Sequence, residues 1–284
     1  MMIDLDKIKE DKTIEELLEF SIINVDKPKG FTSFEVVDLI RKLLHLRKTG
    51  HFGTLDSGVT GVLPVALNRA CKLTEYFMHK DKTYIGKMQL HKEIDEGKLK
   101  EEMKKFVGKI KQMPPVKSRV KREEREREII KFEIIKIENK IVSFIAEVEA
   151  GTYIRKLIHD LGLRMGGAHM IELRRTKAGI FGIKNSFLIE DIKKAFDLWK
   201  EKNDEKKLRE ILIPAEIISE ILPVVQIKSD NLKQILTGKP LMKKDMINIP
   251  KEDLFIVFLE EKFIGVYRKV DEGDIIGRAE FVLN

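Results

Sequence analysis

The sequence predicts an α+β fold in which helices flank a mixed, largely antiparallel sheet, with a small β-barrel-like module at the C-terminal end. Strand and helix patterns alternate over residues 22–181, with more strands than a doubly wound parallel fold would have. Residues 221–270 carry short strands, one helix and regular turn signals. The 284 residues accommodate two unequal units. We therefore expect one domain over residues 1–207 and a second over 208–284.

The first elements surround a short glycine-punctuated loop. Residues 22–30 alternate as a strand that runs into a turn made by proline and glycine. A helix follows, and Thr32 and Glu35 at its start have the spacing of a capping box. The loop around Asp56 comes next, and residues 65–77 then show a helical period.

The middle of the chain predicts most of the sheet. Two alternating runs on either side of Glu138-Asn139-Lys140 give a β-hairpin signal. The remaining patterns predict strands over 82–90 and 169–181, helices over 98–107 and 152–165, and a proline-containing loop over 113–117. The charge-dense segment over 197–210 is the expected boundary region, and as helix it would be a semi-rigid strut.

Composition narrows the classes of function. The net charge of +7 and the pI of about 9.1 favour a polyanionic partner such as nucleic acid, although abundant lysine can also reflect an organism's amino-acid bias. No apolar run reaches the length of a membrane span and no export signal is visible, so we expect a cytoplasmic protein without a membrane partner. A single cysteine excludes an intramolecular disulfide and a cysteine zinc site. Phosphate-cradling glycine loops, dinucleotide fingerprints and metal-ligand histidine spacing are absent, so neither a metal nor a cofactor is expected.

Asp56 is the candidate catalytic residue. It is a lone carboxylate in the stretch HFGTLDSGVTGVLPV, residues 51–65. An aspartate in such a loop is by default a turn residue that accepts backbone N–H groups, and Gly58 suits that interpretation. Four further stretches favour catalysis instead: DKPKGFTS with Lys27, DKTYIGKMQL with Tyr84, GTYIRKL with Tyr153 and Arg155, and MIELRRTKAG with Leu173, Arg174, Arg175 and Lys177.

These five stretches, in their order along the chain, closely resemble the TruB and dyskerin group of pseudouridine synthases over residues 21–183. The stretches PPVKSRVKREEREREI and GGAHMIELRRTKAG resemble its archaeal and eukaryotic branch, the catalytic subunit of H/ACA ribonucleoproteins, and residues 208–284 resemble the PUA module of that branch. The resemblance implies the pseudouridine synthase fold and the isomerisation of uridine to pseudouridine. It also implies tRNA, rRNA and H/ACA guide RNA as partners, together with small proteins of the H/ACA particle. The isomerisation is redox-neutral, so it requires no cofactor.

The resemblance also assigns three catalytic roles. Asp56 matches the family aspartate, which either attacks the sugar carbon of an extruded uridine or removes a proton from the neighbouring sugar position. Either role needs an ionised carboxylate in a dry site, and Arg155 matches the arginine that pairs with it. Tyr84 matches the tyrosine that stacks on the target base, with the final proton relay as a further role. A cross-strand aromatic contact is the alternative for Tyr84.

Further residues are expected to bind RNA or support the site. His51 matches a residue used beside the flipped nucleotide, and a turn histidine without a substrate role is the alternative. Lys27, at a solvated strand end, would support the site rather than react. Leu173 either walls the uracil pocket or packs in the core. The expected phosphate contacts are Arg174, Arg175, Lys177, Lys117, Arg119, Lys121 and Arg122, the last two in a run of alternating charge typical of a solvated face.

Three functions remain open at this point. The first is an RNA-guided pseudouridine synthase, the second a stand-alone tRNA T-loop synthase, and the third a non-catalytic RNA-binding scaffold. A stand-alone enzyme often carries an RNA-clasping insertion after the tyrosine strand, whereas residues 91–110 offer one short helix, which favours the guided class. The intact trio of Asp56, Tyr84 and Arg155 argues against the scaffold. Two departures from the family pattern are Ser57, where proline is usual, and Phe52, where a small residue is usual.

Overall fold

A computed structural model describes residues 3–114, 121–228 and 231–284, and its centre is a ten-stranded sheet. The strands of this large sheet are β1 (Ser21–Lys27), β2 (Thr49–His51), β3 (Thr60–Leu67), β4 (Lys82–Leu90), β5 (Gly108–Gln112), β6 (Arg125–Glu138), β7 (Ile141–Val148), β8 (Ala168–Ala178), β9 (Phe181–Gly182) and β10 (Ile213–Pro214). Their spatial order is β10-β1-β3-β8-β4-β7-β6-β5, with β2 beside β3 and β9 beside β8. β3 pairs with β8 in parallel, and the other described pairings in this sheet are antiparallel. The predicted mixed, largely antiparallel sheet is confirmed.

Helices pack on this sheet through apolar faces. They are α1 (Leu5–Asp11), α2 (Ile14–Glu19), α3 (Ser33–Leu43), α4 (Thr74–Met78), α5 (Glu96–Lys104), α6 (Ile154–Arg164), α7 (Ile189–Lys202) and α8 (Lys206–Ile211). The predicted capping box is present, since Thr32 accepts the N–H of Glu35 and the Glu35 carboxylate accepts the N–H of Thr32. The main core lies between the sheet and buried residues of α2, α3, α5, α6 and α7. None of the helices in the described ranges combines the length and the apolar character needed to cross a membrane.

The helix predicted over residues 65–77 is wrong at its beginning. Residues 65–67 are the end of β3, a buried strand next to β1, and a 3-10 turn (Asn68–Leu73) and α4 follow it. Proline is disfavoured inside a sheet because it lacks an N–H, and Pro64 hid this strand. On the edge of β3 that faces β2 and β8, residues 65–67 pair with β2 and residues 60–61 pair with β8. Pro64 lies between these two paired segments. The missing N–H therefore costs no ladder hydrogen bond to either strand.

The C-terminal module is a five-stranded sheet with one short helix, α9 (Leu232–Leu236). Its strands are β11 (Val224–Gln226), β12 (Leu241–Met242), β13 (Leu254–Leu259), β14 (Lys262–Glu272) and β15 (Ile275–Val282), in the order β11-β13-β14-β15-β12. The expected domain boundary after residue 207 falls inside α8, where Leu208 and Ile211 pack in the core of the large sheet. The second sheet begins at Val224.

Candidate active site

Asp56 lies in the loop between β2 and β3 and faces the start of α6. Its Oδ2 is 3.4 Å from Nη2 of Arg155, which is 99 residues away in the sequence and is the second residue of α6. In the described part of the chain no backbone N–H donates to this carboxylate, so the turn-residue interpretation is not supported. The fold therefore brings together the two charges that the sequence resemblance paired.

The ion pair is open to solvent. The side chain of Asp56 is 67% exposed and that of Arg155 is 61% exposed. The expected dry, partly buried site is therefore not formed by this chain alone. Exposed ion pairs contribute about 0 to 1 kcal/mol to stability, because water and salt screen them. The pair is better suited to meeting a large substrate, which would itself exclude water, than to stabilising the fold.

Arg175 holds the two ends of the Asp56 loop. Its guanidinium is buried, and Nε donates to the carbonyl of Val62 at 2.8 Å while Nη2 donates to the carbonyl of Gly53 at 3.0 Å. The expected phosphate contact of Arg175 is wrong, because its donors are directed at backbone carbonyls inside the protein. Arg175 instead fixes the loop that presents Asp56.

Lys27 is also buried, which corrects the expectation of a solvated strand end. Its Nζ donates to the carbonyls of Pro28 at 3.0 Å and Phe31 at 2.6 Å, so the side chain stabilises the turn after β1. Burial lowers the pKa of Lys27, and the negative charge of Asp56 acts in the opposite direction. Lys27 thus stabilises the turn beside the Asp56 loop, and it lies close enough to Asp56 for the carboxylate charge to act on its pKa.

Two further titratable side chains lie close to the loop: Lys82 is buried near Gly53, and His51 is half-buried at the end of β2. Lys82, at the start of β4, donates to the carbonyls of Met78 and Lys80, and burial, reinforced by the positive charge of Arg175, lowers its pKa to about 8. The same two causes lower the pKa of His51. Sequence reasoning missed Lys82, since nothing in a lysine at a strand end indicates burial.

Tyr84 and Leu173 lie in the central strands of the large sheet. Tyr84 on β4 pairs with Arg175 on β8, and Leu173 pairs with Gly86. Both side chains are buried in the main core. For Leu173 this matches the core-packing alternative. The Tyr84 ring is 8% exposed and lies directly across from Arg175 in the sheet, so most of its surface is in contact with the protein interior.

The remaining predicted basic contacts differ in exposure. Arg174 is partly exposed, and its guanidinium pairs with Asp26 at 2.5 Å and donates to Thr60 at 3.3 Å. The other described members are exposed, namely Lys177, Lys121 and Arg122. Lys117 and Arg119 lie outside the described residues. An exposed cation near the site remains able to meet a phosphate.

Gln112 is a second positioning residue that the sequence did not reveal. Its buried amide accepts the N–H of Tyr153 at 3.0 Å and donates to the carbonyl of Tyr153 at 3.3 Å. These two bonds fix the residue at which α6 begins, two positions before Arg155. A glutamine at the end of a polar strand carries no sequence signal for this role.

Phe52, a departure from the family pattern, completes an aromatic cluster behind the loop. Its ring is buried and stacks on Phe77 with centroids 4.6 Å apart, and Phe181 packs on both. The backbone carbonyl of Ser57, the other departure, accepts the N–H of Gly30 at 2.8 Å. The loop is therefore fixed by packing and by this bond, without the proline.

Comparison with known proteins assigns the fold. Residues 41–154 match the model of the TruB family pseudouridylate synthase N-terminal domain, and residues 155–219 match that of the tRNA pseudouridylate synthase B C-terminal domain. The chain is 41% identical over 243 residues to the probable tRNA pseudouridine synthase B of Methanopyrus kandleri, which covers 85% of this chain and 72% of that protein. The protein of the same name from Thermococcus gammatolerans is 43% identical over 279 residues, covering 95% of this chain and 84% of that protein.

Solved structures agree with these matches. The chain in a Cbf5-Nop10-Gar1 complex superposes with a TM-score of 0.88 at 38% identity, covering 96% of this chain and 88% of that chain. The chain in an H/ACA ribonucleoprotein bound to a substrate RNA containing 2′-deoxyuridine superposes with a TM-score of 0.86 at 36% identity. The match covers 97% of this chain and 89% of that chain. This chain belongs to the TruB family of pseudouridine synthases, isomerases that convert uridine to pseudouridine in RNA.

Proposed function

We propose that this protein is the catalytic subunit of an RNA-guided H/ACA ribonucleoprotein, and that it also modifies the T-loop uridine of tRNA. The observation that carries the proposal is the similarity to chains of H/ACA complexes across both sheets, the C-terminal module included. A guide RNA and small proteins like those named with these neighbours would be its partners. Residues 208–284 would act as the PUA module that binds the guide.

Asp56 would carry the chemistry, with the target uridine extruded from its stack. The N1–C1′ bond breaks, the uracil turns, C5 bonds to C1′, and the C5 proton is lost while N1 regains one. Asp56 either attacks C1′ or takes the neighbouring sugar proton, and both roles need an ionised carboxylate. Arg155 would keep that carboxylate charged and oriented, Tyr84 would stack on the base, and His51 would lie beside the nucleotide.

Two features support an enzyme completed by RNA and partners. The Asp56–Arg155 pair is exposed, so a covering molecule must exclude water from it. The segment after β4 holds only α5 before β5 begins, which is little chain for clasping tRNA unaided.

A stand-alone tRNA synthase is the second candidate, favoured by the names of the curated relatives. Chemical mapping of pseudouridine on a tRNA transcript and on a guide-matched RNA, each with and without guide RNA and partner proteins, separates the two. The proposal requires that guide and partners switch on modification of the guide-matched RNA. Modification of tRNA alone, with no response to guide, would establish the second candidate instead.

Asp56→Asn tests the catalytic assignment. We expect no detectable pseudouridine while RNA affinity changes less than about two-fold, because the amide keeps the shape but provides neither nucleophile nor base. Product is measured by chemical mapping and affinity by filter binding. Normal turnover in this variant would contradict the assignment.

A further inference from the structure

Two exposed aromatic side chains lie where the turn after β1 enters α3, one in the turn and one in the first turn of the helix. Phe34 is 74% exposed, the highest value among the large hydrophobic side chains that the structure describes, and Phe31 is 42% exposed. Neither ring stacks on another aromatic ring or accepts a cation in the described residues. Single exposed apolar residues are common, but two aromatic rings on one turn form a patch with a flat face available.

This turn is bonded to the residues on both sides of Asp56. The N–H of Gly30 donates to the carbonyl of Ser57 at 2.8 Å. The hydroxyl of Ser33 accepts the N–H of Leu55 at 2.7 Å and donates to the carbonyl of Leu55 at 3.1 Å. The rings are therefore fixed at the rim of the surface that carries the Asp56 carboxylate.

The turn is also rigid, and it carries one exposed cation, Lys29, in addition to the Glu35 carboxylate of the capping box. The buried Lys27 amine donates to the carbonyl of Phe31, and the capping box at Thr32 fixes the start of the helix that holds Phe34. Lys29, which lies between Lys27 and Phe31 in the sequence, has an exposed side chain. A preformed aromatic surface with an adjacent cation is what proteins use to bind unpaired bases, because every base has a face to stack and a phosphate beside it.

We propose that Phe34, assisted by Phe31, is a stacking subsite for an unpaired nucleobase next to the target uridine of the substrate RNA. This inference rests on the proposed function, since it takes RNA as the molecule at Asp56. Extruding the target base leaves the neighbouring base without a stacking partner on one side, and the ring of Phe34 replaces that partner. The subsite thus stabilises the RNA in the open form that the reaction needs.

The test uses the full chain and a T-arm stem-loop RNA in which 2-aminopurine replaces, in turn, each unpaired nucleotide beside the target uridine. Fluorescence anisotropy gives Kd and quenching of 2-aminopurine reports stacking. The variants are Phe34→Ala, Phe34→Leu and Phe34→Tyr. Leu163→Ala is the matched control, because Leu163 is 72% exposed at the other end of α6 from Arg155.

We expect the wild-type protein to quench one labelled position. Phe34→Ala and Phe34→Leu should lose this quenching and bind about 10-fold more weakly, equal to about 1.4 kcal/mol. Phe34→Tyr should retain both properties, and Leu163→Ala should match the wild type. Unchanged melting temperatures of the exposed-site variants would show that the fold is intact.

Three results would overturn the subsite. These are no quenching by the wild type, equal binding by Phe34→Ala and Leu163→Ala, or weaker binding with unaltered quenching. If Phe34→Ala affects the capture of a protein partner but not RNA, the patch is a protein-binding surface and the inference is wrong. Pseudouridine formation on this RNA is measured separately. If the wild-type protein quenches 2-aminopurine but forms no pseudouridine, the proposed tRNA activity is contradicted and the stacking result still holds.

Discussion

The Asp56–Arg155 ion pair joins residues 99 positions apart, yet both side chains are largely exposed. A buried pair would be costly to break, because the partner left behind would be an unsolvated charge. Here water can solvate Asp56 when its partner is removed. The interaction therefore contributes little to the stability of the fold.

Arg155→Ala should consequently lower kcat by about 10²-fold, the usual effect of removing one electrostatic partner of a reacting group. The free energy of unfolding should fall by less than about 1 kcal/mol. Single-turnover kinetics and denaturant unfolding measure the two quantities. Arg164→Ala, at the other end of α6, removes the same charge and should leave kcat unchanged. A stability loss of several kcal/mol for Arg155→Ala would mean that the pair is buried in solution.

The pairing of Asp56 with Arg155 could be predicted because both lie in motifs that resemble a known family. The burial of Lys27 and Arg175 could not. A sequence gives the charge of a side chain but not the groups its donors meet, and a cation bonded to carbonyls looks the same as one that binds phosphate. Arg175 meets Val62 and Gly53 only because β8 lies beside β3 in the folded sheet.

Lys82 predicts a specific dependence of stability on pH. Burial lowers its folded pKa to about 8 from the ordinary value of 10.5, so between these values the unfolded chain binds more protons than the folded one. Stability therefore rises with pH across this window. Relative to Lys82→Met, the free energy of unfolding of the wild type should increase by about 1 to 2 kcal/mol from about pH 7.5 to about pH 9.5. Urea unfolding at both pH values checks this, and a difference that stays constant would place the Lys82 amine in water.

At the scale of elements, most of the sheet follows from sequence pattern, and β3 is the instructive failure. Strict alternation predicts β4 with the bounds observed, and the hairpin of β6 and β7 follows from its turn. β3 is buried on both faces, so it has no alternation, and Pro64 removes the remaining strand signal. Tertiary pairing with β1 decides its conformation. The strand that leads away from Asp56 is thus one that local pattern could not reveal.

Gly61 is the residue that lets β3 approach β8. Its φ is +102°, and a Cβ there would lie 2.1 Å from the carbonyl oxygen of Arg175. Gly61→Ala should therefore destabilise the protein by about 3 kcal/mol or more, through backbone strain and a clash with main-chain atoms. Gly58→Ala, in the loop just before β3, is the control, because a Cβ there meets nothing within 4 Å. Thermal unfolding of both variants is the measurement, and equal melting temperatures would contradict the close pairing of β3 with β8.

At the scale of the whole molecule, the two sheets share a hydrophobic core. Phe20 and Ile22 from the beginning of the large sheet pack with Phe258, Phe263 and other residues of the C-terminal sheet. Arg69 adds hydrogen bonds to the carbonyls of Val282 and Asn284. An RNA held by the C-terminal module would therefore lie at a fixed distance from Asp56.

This shared core predicts that the protein unfolds as one unit. Trp199 is the only tryptophan and packs in the main core of the large sheet, so its fluorescence reports that sheet alone. Phe263→Ala removes a buried ring of the C-terminal sheet that lies 5.2 Å from Phe20, and should cost about 3 to 5 kcal/mol. Because the sheets are coupled, Phe263→Ala should lower the denaturant midpoint measured by Trp199 fluorescence and the midpoint measured by circular dichroism by the same amount.

Ile247→Ala, at an exposed position of the same module, is the control and should leave both signals in place. Two separate transitions in the wild type, or a Trp199 midpoint that does not respond to Phe263→Ala, would show that the modules unfold independently. The C-terminal sheet would then be a tethered domain, and it could not set the distance between bound RNA and Asp56.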